Sequence, residues 1–579
     1  MNRRHLVQGV VAWLALSLLA GFASCARMRI NGIDGPGEEL SAWGLSALQG
    51  GADEAPGAWN GPGPNVITAW EDGVPLQRFI GEGDFVADVR AALGEFERRP
   101  GQRFTIEVSV GDAPVVLGIP YLRALSLVPL NEGLVATLEG EQRVISPEEL
   151  RASGAYDRGI VTPIPDLTVG SDVLGLVGRL ARDMGHEQEE LLERGEVRRF
   201  RSLTIAEDEY PRSVEVNAET LRSAAIEGAE FLLRHQNSEG MYAYIYDGRS
   251  GRPMMDGYNI PRHSGATYFL AQVDRVTGHP EARAGAMRAL RFLERTRLEE
   301  CDENLCIVDF GRADVGSAAL TIVAASEVLL QGEDPLARRL VEGLSAFLRA
   351  QQREDGELMH EFNIETGEPI DVQYLYYSGE AAFALLRAYR ATGDERNAEA
   401  ARRLMMHLTG ASWDFLGSRY YYGEEHWTCI AAGEGRESAP SDEAIDFCRR
   451  WWEWNDVLQF RDGDTPWPVG GAYGVGPVVM PRLTPVGSRT EAFIGTYLML
   501  RDAGMETEGV RALVERGLGQ LLRYRWAPGP THLFADPDAA QGGVPGSPID
   551  LTARNDFVQH AGSSWVRWLE VLQEEQSSE

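Results

Sequence analysis

Two short segments, far apart in the chain, repeat one pattern of chemically capable residues. Asn259-Ile-Pro-Arg-His-Ser-Gly265 and Asp556-Phe-Val-Gln-His-Ala-Gly562 each run Asn or Asp, two apolar residues, Arg or Gln, His, a small residue and Gly. Imidazoles gain and lose protons near neutral pH, which makes His263 and His560 candidate acid–base residues. Asn259 and Asp556 are placed to orient the rings, and Arg262 to clamp an acidic group through two parallel hydrogen bonds. A helix N-terminus at these positions lowers a histidine pKa and favours an anionic ligand. The structural alternative is a histidine that satisfies a neighbouring loop carbonyl.

Glu380 in Tyr376-Tyr-Ser-Gly-Glu-Ala381 and Glu491 in Ser488-Arg-Thr-Glu-Ala492 occupy equivalent places. Two acids facing one cleft, one protonated and one ionised, are what glycoside hydrolysis needs. Acids at helix starts otherwise cap the helix or pair with arginine. Tyr377 and Arg489 adjoin the two acids as candidate substrate contacts. Aromatic residues crowd the stretch 420–467, with Tyr420, Tyr421, Tyr422, His426, Trp427, Trp451, Trp452, Trp454 and Trp467. Trp427 and Trp467 are the candidates for holding a sugar ring. Trp451, Trp452 and Trp454 cannot all share one face of a helix, so part of this set belongs to the core.

These residues fall at the starts of helices that recur about every 50 to 60 residues after Val216. First members of helix pairs are predicted over 218–235, 281–295, 336–351, 395–408 and 508–523. Their partners are predicted over 262–277, 315–330, 374–392, 442–459, 488–503 and 556–572. One first member is replaced by a Trp/Pro/Gly-rich loop before Ser488. Phe231 to Gly240 matches Phe347 to Gly356 at Phe, Gln and Gly, where glutamine can satisfy loop backbone groups and glycine takes a positive-φ turn. Small residues open the partner helices, which lets inner helices approach closely. His263 and His560 open the first and last of them, so a closed ring brings the two together at its N-terminal rim.

With these repeats, residues 216–574 resemble the six-hairpin, or α/α-toroid, superfamily, which includes glycoside hydrolases, sugar epimerases, polysaccharide lyases, lanthionine-synthetase-like proteins and terpene cyclases. The resemblance implies a mainly α chain: an incomplete (α/α)6 toroid holding its substrate at the N-terminal rim of the inner helices. The Phe…Gln…Gly turn looks like the cyclase glutamine-glycine motif but lacks the Trp after glycine. The Cys-His ligand pair of a lanthionine-synthetase-like zinc site is also missing. The two-histidine arrangement is similar in kind to sugar epimerases, and Tyr376-Tyr-Ser-Gly-Glu-Ala381 to the glucuronyl C5-epimerase helical domain.

Ahead of the repeats, residues 65–212 read as a small α+β domain. Phe104-Thr-Ile-Glu-Val-Ser-Val110, 115–118 and 133–138 are strand-like, and 85–98 and 174–192 helical. Residues 26–64, rich in Gly, Ala and Pro, read as a flexible linker. Residues 1–25 read as a signal peptide: Arg3 and Arg4, an apolar run, then Ala23-Ser24-Cys25. That ending resembles the lipobox of bacterial lipoproteins, with Phe22 standing where the pattern prefers Leu. The resemblance implies acylation of Cys25 and a lipid-anchored protein in the cell envelope. The other cysteines, Cys301, Cys306, Cys429 and Cys448, make two local disulfides in an oxidising compartment; C-x₄-C without histidines is a poor match to zinc.

Among the 579 residues, 87 are acidic and 55 basic, for a net charge of −32, which excludes a nucleic-acid partner. Every basic residue is arginine, so Schiff-base, lysine-base and P-loop chemistry are excluded too. No cofactor and no metal set is read from the sequence. The expected partner is a glycan or other small-molecule ligand, with the membrane reached through the N-terminal anchor. The expected function is a carbohydrate-active hydrolase, lyase or epimerase of the cell envelope; the alternative is a non-catalytic lipoprotein that binds a glycan or a protein.

Overall fold

The computed structural model describes residues 34–578 apart from 52–53, 162–167, 212, 411–425, 466, 475–478 and 528. Cys25 with its signal segment, and Tyr420, Tyr421 and Tyr422, lie outside the described residues. No helix among the described residues is long and apolar enough to cross a membrane.

The stretch expected to be a linker is partly folded. Glu38–Leu48 is a helix that buries Leu40, Trp43, Ala47 and Leu48 against Ile67, Phe85 and Ile106. Their i, i+3, i+7, i+8 spacing is a helical stripe, masked in the sequence by the surrounding Gly and Pro. The helix packs on a six-stranded antiparallel sheet in the order Val74–Ile80, Val66–Glu71, Arg103–Pro114, Glu196–Ala206, Glu132–Leu138, Glu141–Ile145. The central strand Glu196–Ala206 escapes sequence reading because arginines interrupt it. One of them, Arg199, is buried, donating to the Ser126 carbonyl at 2.6 Å and pairing with Glu132 at 3.3 Å. The helix expected over 174–192 breaks at Gly185, whose φ is +78°, into Val173–Asp183 and Gln188–Arg194.

The rest of the chain is the expected mainly α toroid. Its inner helices are Ile260–Thr277, Val315–Leu329, Tyr377–Thr392, His426–Glu434, Thr484–Asp502 and Asn555–Ser578. Each packs on the next, and the last returns to the first. The outer helices are Ala218–Arg234, Pro280–Thr296, Pro335–Ala350, Glu395–Thr409, Asp442–Leu458 and Glu508–Tyr524. Composition sorts the two layers. Every residue of Val315–Leu329 is buried, whereas Pro335–Ala350 buries one stripe and exposes its arginines. Caps mark the starts: Asn217 with Thr220 forms a capping box, and Asn259, Asp314, Asp334 and Ser441 each accept from a backbone N–H of the first turn.

The ring departs from expectation at its fourth hairpin. Residues 442–459, predicted as the fourth inner helix, form the fifth outer one (the member expected to be replaced by a loop), and the fourth inner place is taken by the short helix His426–Glu434. Nine residues buried almost all round carry no amphipathic period, so sequence periodicity misses them. The incompleteness of the ring is therefore one of length. Gly433 and Gly495 let this helix touch the next backbone to backbone: a Cβ on Gly433 would lie 2.4 Å from the Gly495 Cα. Cys429 is bonded to Cys448 on the outer helix, and Cys301 to Cys306 across a hairpin.

The Gln–Gly turns work as the sequence indicates. Gln236 Nε2 donates to the carbonyls of Gly240 and Gly285, and Gln352 Nε2 to those of Gly356 and Ala400. Gly240 and Gly356 have φ of +101° and +91°. A third copy, Gln459 with Gly471, donates likewise but is hidden by its longer loop. The α+β unit docks on the toroid: Trp467 Nε1 donates to the Pro129 carbonyl at 3.0 Å, and His532 pairs with Glu148 at 2.9 Å.

Candidate active site

A cavity of about 470 Å³ opens at the N-terminal rim of the inner helices. Asn259, Arg262, Tyr377, Glu380, Trp427, Asp556 and His560 all line it. They come from the starts of the first, third, fourth and sixth inner helices, so ring closure assembles the site from segments about 300 residues apart.

His560 is held from behind. Its Nδ1 lies 2.8 Å from Glu491 Oε1, and Glu491 is wholly buried. A carboxylate on Nδ1 fixes the proton there and leaves Nε2 as the acceptor. Glu491 is therefore a positioning residue behind the cavity wall. His426 and Trp427 pack on the His560 ring, each with centroids 5.8 Å away.

Glu380 is in the opposite electrostatic situation. It is 5% exposed, and its Oε2 has no hydrogen-bond partner among the described residues. Burial, reinforced by the charge of Asp314 and only partly offset by Arg262, holds its carboxyl well above the usual range. That direction favours its protonated form. Asp314, the N-cap of Val315–Leu329, accepts from Ser317 and meets the Tyr377 hydroxyl, which fixes the tyrosine beside Glu380.

Asp556 takes the ionised role. Burial opposes its charge, but Arg554, Arg262 and His560 outweigh burial and hold it below the usual range. Arg262 Nε donates to it at 3.0 Å and Arg554 Nη2 at 2.8 Å, while Arg262 Nη1 donates to the Tyr244 hydroxyl. Asp556 thus fixes two guanidinium groups at the cavity wall. Asn259 acts as the helix cap, accepting from the Arg262 N–H at 3.1 Å.

Besides Glu491, expected as a catalytic acid and found behind the wall, three expected site residues fall elsewhere. His263 does not face His560 across the cavity: it is buried between inner and outer helices. Its Nδ1 lies 2.6 Å from the Tyr258 hydroxyl and its Nε2 3.3 Å from the Ala289 carbonyl. One helical position separates it from Arg262, which faces the cavity, and that step of about 100° turns it toward the outer layer. Arg489 lies over the Tyr473 ring, 4.8 Å from its centroid, and Trp467 is buried at the contact with the α+β unit. Sequence reasoning missed Arg482 and Arg554, which line the cavity. Arg554 stood two residues before a singled-out Asp556, the available signal.

Burial pushes the His263 pKa down to about 4, so it is neutral when folded. Between that value and about 6.5 the unfolded chain binds a proton that the folded chain refuses. The contribution of His263 to stability is therefore present above pH 6.5 and lost as pH falls toward 4. His263→Asn is expected to lower stability by about 1–3 kcal/mol at pH 7 and to flatten that acid-side decline, with turnover unchanged. Thermal melts across pH 4–7 beside an activity assay check this.

No family model matches the chain, and no curated protein sequence does. Among solved structures it is similar to a D-mannose isomerase, at 13% identity over 62% of this chain and 99% of that one, with a TM-score of 0.47. A cellobiose 2-epimerase from Bacillus thermoamylovorans B4167 is similar at 14% identity over 61% and 99%, with a TM-score of 0.48. An unsaturated glucuronyl hydrolase specific for heparin is similar at 10% over 62% and 99%, with a TM-score of 0.45. Likeness this distant says nothing about the reaction, which has to be argued from the chain's own residues.

Proposed function

We propose that the chain is a carbohydrate-active enzyme of the cell envelope that moves a proton on a sugar bound in the rim cavity. The observation that carries this is the pairing, in one cavity, of a buried Glu380 carboxyl, its Oε2 unpartnered among the described residues and its pKa raised by burial, with a His560 whose Nδ1 is held by Glu491. In the proposed step His560 Nε2 takes the proton from a carbon next to a carbonyl. Glu380 gives its own proton to the carbonyl oxygen, and an enediol forms. Return of the two protons yields the isomer or epimer, or elimination follows as in a lyase. Trp427, Tyr376 and Phe557 offer flat faces to the ring. Hydrolysis is less well supported: it calls for two carboxyl groups free to act at the scissile bond, whereas Asp556, the other acid lining the cavity, is engaged by Arg262 and Arg554, and Glu491 sits behind His560.

The test is incubation of the full chain with a panel of reducing sugars and uronates in D₂O, followed by mass spectrometry of the recovered sugar. The expected result is deuterium on carbon, accumulating with time in at least one of them. Binding without deuterium uptake would favour the non-catalytic glycan-binding lipoprotein; release of new reducing ends from oligosaccharides incubated in parallel, without deuterium on carbon, would favour a hydrolase.

The envelope placement rests on residues 1–25 alone. Cys25→Ser should move the protein from the membrane fraction to the soluble one. Unchanged membrane association would overturn the lipid anchor.

A further inference from the structure

A second cavity, of about 330 Å³, lies at the junction of the α+β unit and the toroid. Asn131, Glu148, Arg151, Ser202 and Glu209 reach it from one side, and Tyr524 with Arg523 from the other. Its polar groups are unusual in how many are left over. Arg151 is 2% exposed; it touches Glu148 at 3.6 Å and leans on the Tyr210 ring at 5.2 Å, yet among the described residues its Nε and Nη2 complete no hydrogen bond. Ser202 is 1% exposed and its hydroxyl has no partner among the described residues. Asn131 Oδ1 and Glu209 Oε1 are acceptors without a partner among the described residues in the same wall. Buried polar groups are costly unless paired, and here donors and acceptors remain together around one open volume. None of these residues takes part in the rim site.

The mixture selects the ligand. A cation could reach Glu148, Glu209 and His532, whose ligand atoms lie within 4.8 Å of one another, but it would meet Arg151 beside Glu148. An anion could use Arg151 and Ser202 but would face Glu148, which Arg151 and His532 keep ionised against the cost of burial. A neutral polyhydroxylated molecule meets donors and acceptors at once and packs beside Tyr210 and Tyr524, which line the cavity and whose rings meet edge to face at 4.8 Å. We propose that this junction cavity is a second carbohydrate-binding site, taking one neutral hexose or N-acetylhexosamine unit through Arg151, Ser202, Asn131 and Glu209 and seating it against Tyr210 and Tyr524. The site stands independently of the rim reaction. In an enzyme of long glycans it would hold the polymer on the α+β unit while the rim acts on another unit.

Hydrogen–deuterium exchange of the full chain tests it, with glucose, galactose, N-acetylglucosamine and cellobiose as probes at millimolar concentration. At least one probe should protect residues 128–131 and 198–210. Ser202→Leu, which sends a side chain into the cavity, should abolish that protection. Ser202→Ala, which removes one hydrogen-bonding group, should weaken it about two- to tenfold. If the leucine variant does not fold, the alanine variant decides. No protection of these segments by any probe, meaning that water alone fills the cavity, overturns the proposal, as does equal protection in the variant that folds. Protection of residues 376–382 and 554–562 reports the rim site separately, so either site can fail without the other.

Discussion

Replacing Glu380 by Gln is expected to lower turnover by about 10²- to 10⁴-fold, the usual worth of a positioned general acid, while leaving the chain folded. Gln keeps the size of the side chain and lacks the proton to give. The folded pKa of Glu380 lies above its unfolded value, so the group favours folding most at low pH. That contribution falls away as pH rises past the unfolded value near 4.3 toward the raised folded one. Gln does not titrate, so the variant should melt no lower than the parent at pH 7 and lose this part of the pH dependence. Turnover assays paired with melts at pH 5 and pH 7 check both halves. Near-normal turnover would remove Glu380 from the chemistry; lost turnover with a collapsed melt would make it structural.

The second large effect is on stability. Glu327 is wholly buried in Val315–Leu329 and accepts from both Arg275 and Arg387. Arg387 also reaches Glu434 at 3.0 Å, and Arg275 reaches Glu570. Burial disfavours the charge on Glu434, but Arg387, Arg390 and Arg567 override it and pull its pKa down to about 2. The network therefore loses stability as pH falls from the unfolded value of Glu434 toward 2. Glu327→Gln leaves the buried Arg387 and the half-buried Arg275 short of their shared counter-charge. The expected cost is about 3–5 kcal/mol, read as a fall in denaturant midpoint. High salt should not rescue it, since screening acts weakly on buried pairs. A change of less than about 1 kcal/mol would mean that the arginines find other partners and that the network is of the surface kind.

The rim site and the toroid differ in how far the sequence carries them. Asp556, His560, Arg262 and Glu380 were legible because repeats place equivalent residues at equivalent helix starts, and ring closure then decides who meets whom. His263 shared that context and still turned the other way, because a single helical step separates the cavity from the outer layer. The local pattern around it is the same in either case. The short helix at His426 and the strand at Glu196–Ala206 were illegible for opposite reasons: one is buried on all sides and shows no period, the other carries arginines whose partners lie far along the chain. The helix at Glu38–Leu48 did show its stripe, under Gly and Pro that signal a loop. The junction cavity left no sequence mark, since Arg151, Ser202 and Glu209 are ordinary until two units close over them.

The central claim is that a protonated Glu380 shares one cavity with the His560–Glu491 pair, and it can be tested without knowing the substrate. The measurement is the infrared difference spectrum between the parent chain and Glu380→Gln at pH 7. A carboxylic-acid carbonyl band that is present in the parent, missing in the variant and shifted on exchange into D₂O is the predicted result. A difference spectrum carrying instead the paired bands of an ionised carboxylate would mean that Glu380 is charged at neutral pH, and the acid on which the proposed reaction depends would not exist.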